Sequence, residues 1–221
     1  MAQSATDSPA ASSTGGATRG KTSFIGLKDL VFCVLMGALM LAIGLVVVLP
    51  FAASLQAIYF VVPALAGIVW GVLFVVLMAK CPKTGAVVIP FLIYGAYMMA
   101  GGSVFVFFLF VIAGIVSELV MLGGGYASTV RSFVPPLLMT LSNAMGSTLT
   151  MLLFRDSMVQ TYMSLGMDQA AADATLSAIE AFWLAPGNIA LAVALAFAGA
   201  LVGYIAGVKL LKKHFRPAGA V

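Results

Sequence analysis

Residues 30–49 read LVFCVLMGALMLAIGLVVVL, an apolar run without a single charge. In hydrocarbon, backbone N–H and C=O groups find no partners outside their own segment, so a run of roughly 20 such residues implies a membrane-crossing helix. Working outward, five further apolar blocks follow at 59–79, 85–101, 104–122, 133–154 and 188–211. Only nine residues between positions 32 and 208 are charged, and almost all of them fall between the blocks. With 62% hydrophobic and 8% charged residues, the chain lacks the polar surface a water-soluble domain of this size requires. The expected fold is all-α: one polytopic bundle of six transmembrane helices over 23–221. The third block is short and contains Pro90, so tilting, kinking or a partly re-entrant path is expected there.

Charge placement orients this bundle. Six crossings put both termini and the second and fourth connections on one side. That side collects Arg19, Lys21, Lys28, Lys80, Lys83, Arg131, Lys209, Lys212, Lys213 and Arg216, leaving only Arg155 opposite. Lysine and arginine accumulate in short cytoplasmic loops, so both termini are expected in the cytoplasm of a plasma-membrane protein. Asp156, Asp168, Asp173 and Glu180 all lie in the long outer connection 155–186. Asp168 is placed to cap a helix running to Phe182, with Leu176, Ile179 and Phe182 on one face. Such a helix either lies across the outer mouth or shields the ends of neighbouring spans.

Residues 1–22 are mostly Ala, Ser, Thr and Gly and read as a disordered cytoplasmic tail with no signal peptide. Within it, 15–22 (GGATRGKT) fits the phosphate-loop pattern, but no strand precedes it and no α/β domain follows, so no nucleotide site is assigned. Catalysis lacks parts. The one histidine, His214, is in the tail after the last block, no His-Glu-x-x-His element occurs, and no acid and base share a cavity. Cys33 and Cys81 face a reducing compartment and are not expected in a disulfide, and no metal or cofactor site is expected.

Four features remain. Ala38 and Ala42, flanked by Gly37 and Gly44, form a small-residue stripe on the first span, suited either to packing within the bundle or to docking another membrane protein. Gly199, Gly203 and Gly207 form a stronger stripe on the last span, read as internal packing. Glu118 is the one acid inside a block, and Arg131 or Lys80 is its expected partner. Towards the outer side lie Gln56, Tyr94, Tyr97, Asn143, Ser147, Thr148, Trp183 and Asn188. These amides, hydroxyls and rings serve either to orient a small ligand in an apolar pocket or to bond helices together and line the interfacial belt.

The sequences 27–31 (LKDLV), 123–128 (GGGYAS) and 212–219 (KKHFRPAG) resemble the Trep_Strep (MptS-type) family of small integral membrane proteins, over about 24–221. That family in turn resembles the S-components of energy-coupling factor (ECF) transporters. The resemblance implies a six-helix, substrate-binding membrane subunit that captures a vitamin-like or other micronutrient from outside. It also implies a transmembrane coupling subunit and two cytoplasmic ATPases as partners. On this reading Gly37, Ala38 and Ala42 dock the coupling subunit, while Gln56, Tyr94, Tyr97, Asn143, Ser147, Trp183 and Asn188 are the candidate substrate contacts. A stand-alone secondary transporter and a structural or regulatory membrane protein are the rival expectations.

Overall fold

The computed structural model describes residues 24–54 and 56–215; the side chains of Ser147, His214 and Phe215 are outside the description. The tail 1–22, its phosphate-loop-like stretch and the end of the basic terminus from Arg216 onward also lie outside the described residues.

The described chain is helical: α1 (Leu27–Val48), α2 (Val62–Lys80), α3 (Val88–Ala100), α4 (Val104–Met121), α5 (Val134–Leu153), α6 (Arg155–Ser164), α7 (Gln169–Leu184) and α8 (Asn188–Leu210). Four stretches are long and apolar enough to cross a bilayer: Leu27–Phe51, Ala57–Lys80, Val104–Met121 and Asn188–Lys213. Helix α3 is shorter, and α5 carries the buried hydroxyls of Thr140, Ser142, Thr148 and Thr150. Large apolar side chains such as Leu35, Val46, Phe108, Ile112, Leu119 and Val202 are exposed around the bundle. In water that surface would aggregate; in lipid it is the solvated face of a multi-pass integral membrane protein.

Prolines mark helix starts here. Pro63 lies in the first turn of α2, Pro135 and Pro136 in that of α5, and Pro90 is the third residue of α3. The first turn has no internal partner for its N–H groups, so a missing one costs nothing. Pro90 therefore begins the short helix instead of interrupting it.

Helix α2 is central, packed against α1, α5 and, most extensively, α8. The α2–α8 seam is made of glycine. A Cβ on Gly203 would overlap the carbonyl of Ile68, one on Gly199 that of Ala64, and one on Gly71 would sit 2.6 Å from the Gly203 carbonyl carbon. Backbone thus meets backbone, the close approach that small residues permit in membranes, and the stripe on the last span serves internal packing. On its other side α2 sends Trp70 and Phe74 into a core with Met40, Phe91, Tyr94, Phe110 and Met139. The Trp70 indole N–H donates to the Met40 carbonyl at 2.9 Å, so this buried ring carries no unpaired donor.

The connection 155–186 forms an α6–α7 hairpin at one end of the bundle. Asp168 caps α7 as its spacing predicts, its Oδ1 accepting from the Ala171 N–H at 2.7 Å. The buried face of α7 is Ala172, Leu176, Ile179 and Trp183; Phe182 is only half-buried, so the stripe runs one residue further round than the three-residue spacing implies. Arg155 spans the hairpin to Asp173 at 3.1 Å and Glu180 at 3.8 Å.

Candidate functional site

Beneath the hairpin lies a cavity of about 260 Å³ whose walls come from α1 (Leu45, Val48), the start of the second span (Tyr59, Val62), α3 (Tyr94, Tyr97), α4 (Phe110) and α5 (Ser142, Asn143). Each helix contributes for a local reason. Gly44 lets α1 approach so closely that a Cβ there would lie 3.1 Å from Trp70 and 3.4 Å from Tyr94, the latter a wall of the cavity. Tyr94 is 4% exposed and packs 5.0 Å from Phe110 and 5.3 Å from Trp70, centroid to centroid. Its hydroxyl donates to Asn143 Oδ1 at 3.0 Å, locking the amide's orientation across the α3–α5 gap.

Among the residues expected to contact substrate, Tyr94, Tyr97 and Asn143 come together here, with Tyr97 half-exposed at the rim. Gln56 is exposed and does not line the cavity. Asn188 turns its Nδ2 to the Phe182 carbonyl at 2.6 Å, satisfying the C-terminal turn of α7. Trp183 is buried one layer behind, its ring 4.9 Å from Tyr59, and its indole N–H has no hydrogen-bond partner among the described residues. Thr148 Oγ1 is likewise buried without a partner there. Ser147 has no described side chain. Tyr59, Phe110 and Ser142 are wall residues that sequence reasoning missed. Tyr59 carried the cue used for Tyr94 and Tyr97, a ring with a polar tip at the same end of its block; Phe110 carried none.

The hairpin roofs this region from two sides. Phe182 and Trp183 of α7 pack against Tyr59 and Phe60, Phe182 stacked on Tyr59 and Trp183 edge-on to it. Helix α6 lies over the turn after α3, where Gly102 has φ +86° and a Cβ would sit 2.7 Å from Thr161. Ser103, beside that turn, lines both this cavity and a second one of about 280 Å³ shared with Ser157, Met158 and Thr161.

The small-residue stripe of α1 is divided. Gly37 is buried, where a Cβ would lie 2.6 Å from Ile93 and 3.1 Å from the Pro90 Cα, whereas Ala38 and Ala42 are exposed. Gly37 therefore belongs to the α1–α3 contact, and the two alanines lie on the bundle's surface beside Leu35, Leu39 and Val46.

At the opposite end, Glu118 finds neither Arg131 nor Lys80. Its carboxylate accepts from the backbone N–H groups of Gly85 (2.8 Å) and Val87 (3.2 Å), just ahead of α3, and the Tyr126 hydroxyl lies 3.4 Å away. The positive end of a helix dipole, with its unpaired N–H groups, is the counter-charge. Tyr126 donates to the Lys83 carbonyl at 2.7 Å, while burial first and then Glu118 raise its phenol above the usual range. Arg131 instead reaches the Leu122 carbonyl at the end of α4. Lys83 pairs with Asp29 at 2.6 Å, and this hydrogen bond holds its ammonium above the usual lysine range. Loop 81–87 is thereby fastened to α1 and α4. Cys81 in this loop and Cys33 of α1 are buried free thiols.

A family model described as a hypothetical bacterial integral membrane protein (Trep_Strep) matches residues 27–216, from the start of α1 through α8 to the basic terminus. No curated protein and no solved structure matches the chain.

Proposed function

The chain belongs to the Trep_Strep family of hypothetical bacterial integral membrane proteins, and from that premise we propose that it is the substrate-capturing subunit of an ATP-driven importer of the ECF type. In this reading α1–α5 and α8 are six crossings, both termini are cytoplasmic, and the α6–α7 hairpin faces outside over a micronutrient cavity. The protein carries out no reaction itself; a transmembrane coupling subunit and cytoplasmic ATPases supply the work.

Helix α1 carries the reading. Towards the hairpin its Leu45 and Val48 line the cavity, and one to two turns away its Ala38 and Ala42 are exposed. One rigid element thus joins the wall of the cavity to a small-residue surface on which a second membrane protein can pack closely. The lysines and arginines of the 80–83, 131 and 209–213 segments, gathered at the end away from the hairpin, support the orientation.

Reconstitution in liposomes tests the proposal. Uptake of the co-purifying small molecule that requires coupling-factor subunits and ATP is the expected result. Uptake without them supports the stand-alone carrier, and no uptake in either case supports a structural or regulatory protein.

A further inference from the structure

We infer that the cavity under the hairpin selects an uncharged, planar ring compound bearing a hydrogen-bond acceptor, held by the Nδ2 of Asn143 between tyrosine rings. The inference rests on the reading of this cavity as the substrate site and deepens it. Three observations carry it.

The first is charge. None of the residues lining the cavity is an acid, a base or a histidine. Several charged groups are engaged away from it: Asp29 with Lys83 and Glu118 with the start of α3 at the far end, and Arg155 with Asp173 and Glu180 within the hairpin. A charged ligand entering such walls gives up its hydration with no counter-ion to replace it.

The second is the orientation of one amide. Tyr94 occupies Asn143 Oδ1, while Nδ2 has no partner among the described residues. The amide thus has its donor end to offer a ligand, which calls for an acceptor such as a carbonyl or ring nitrogen. Aromatic walls also attract cations, but a donor N–H2 beside the ligand opposes positive charge.

The third is shape. Tyr94 meets Tyr97 at 6.2 Å with the planes 67° apart and Phe110 at 5.0 Å with the planes 37° apart, and Tyr59 lines the same space. Rings set at such angles offer both faces and edges to a flat guest. At the liquid volume of water the cavity corresponds to roughly nine molecules, so a ligand of about ten non-hydrogen atoms fits without enlarging it.

The test uses sets of similar shape that differ in charge: nicotinamide (neutral), nicotinate (anion) and 1-methylnicotinamide (cation), with indole-3-carboxamide and indole-3-carboxylate as a larger pair. Binding to the detergent-purified full chain is measured by calorimetry. At least one neutral member is expected to bind at least tenfold more tightly than its charged counterparts. Asn143→Leu is expected to weaken that binding by tenfold or more. Asn143→Asp, which keeps an acceptor for Tyr94 but removes the donor, is expected to lose the neutral compound and gain 1-methylnicotinamide, which guards against a leucine variant that fails to fold. Equal or tighter binding of an anion or cation to the unmodified protein overturns the inference, and so does the failure of every compound to bind. No coupling subunit or nucleotide is present, so the outcome is separable from the transport reading: neutral-selective binding by a protein that imports nothing keeps this inference and removes that reading, and ATP-dependent import of a charged compound does the reverse.

Discussion

Glu118 Oε1 accepts the Gly85 N–H at 2.8 Å, so an acid at the end of α4 acts as the N-terminal cap of α3, a helix remote from it in sequence. Glu118→Ala leaves two donors ahead of α3 without their acceptor and is expected to lower stability by about 1–3 kcal/mol, read as a fall in thermal midpoint in detergent. Glu118→Gln keeps an acceptor oxygen and is expected to retain most of the midpoint and all of the ATP-dependent uptake. A proton-coupled carrier predicts that uptake disappears in the glutamine variant.

Replacing Gly203 with alanine drives a methyl group into the Ile68 carbonyl and forces α2 from α8; a loss of about 1–3 kcal/mol or more is expected. Gly123→Ala is the control. Nothing lies within 4 Å of its Cβ position, and only its φ of +65° resists substitution, at a cost of about 1–2 kcal/mol. A seam variant as stable as the wild type would remove the close approach as the organising contact.

The two sides of α1 separate docking from folding. Ala38→Trp with Ala42→Trp alters exposed positions and is expected to leave the thermal midpoint within a few degrees while abolishing co-purification with a coupling subunit. Gly37→Leu drives into Ile93 and Pro90 and is expected to destabilise the isolated protein. Co-purification that survives the double tryptophan variant contradicts the docking assignment.

Cys81 is 1% exposed and Cys33 is fully buried, and burial pushes the Cys81 thiol up from its usual range. Because the thiolate is the reactive form, a raised pKa leaves less of it at pH 7–8. A thiol-reactive fluorogenic maleimide is therefore expected to label neither residue until the bundle melts, and the labelling transition should coincide with loss of helix by circular dichroism. Rapid labelling at room temperature would mean that loop 81–87 opens in the folded state.

What was legible in the chain was what hydrocarbon enforces. Apolar run length located the helices, four-residue glycine spacing marked α8 as an internal packing face without naming its partner, and Asp168 announced α7, because each signal is local. The partner of Glu118 was not legible: sequence displays the charges of Arg131 and Lys80, whereas the free N–H groups ahead of α3 have no letter. Asn188 and Trp183 share a neighbourhood with the cavity tyrosines in sequence terms, yet one amide completes a turn and the indole sits a layer behind. The aliphatic and phenyl walls, Leu45 and Phe110 among them, look like any other membrane-helix residues until the helices are assembled. Helix α6 went unseen since its ten residues have no apolar stripe to betray them.

The glycine seam also sets where this molecule is able to change. Two helices touching main chain to main chain have no side-chain cushion to slide on, so α2 and α8 travel as a single beam. The joints around the cavity that interlocked side chains form, among α1, α3, α4 and α5 or beneath the hairpin, lack that constraint. New ligand preferences are likewise easiest to acquire through substitutions on those same movable walls.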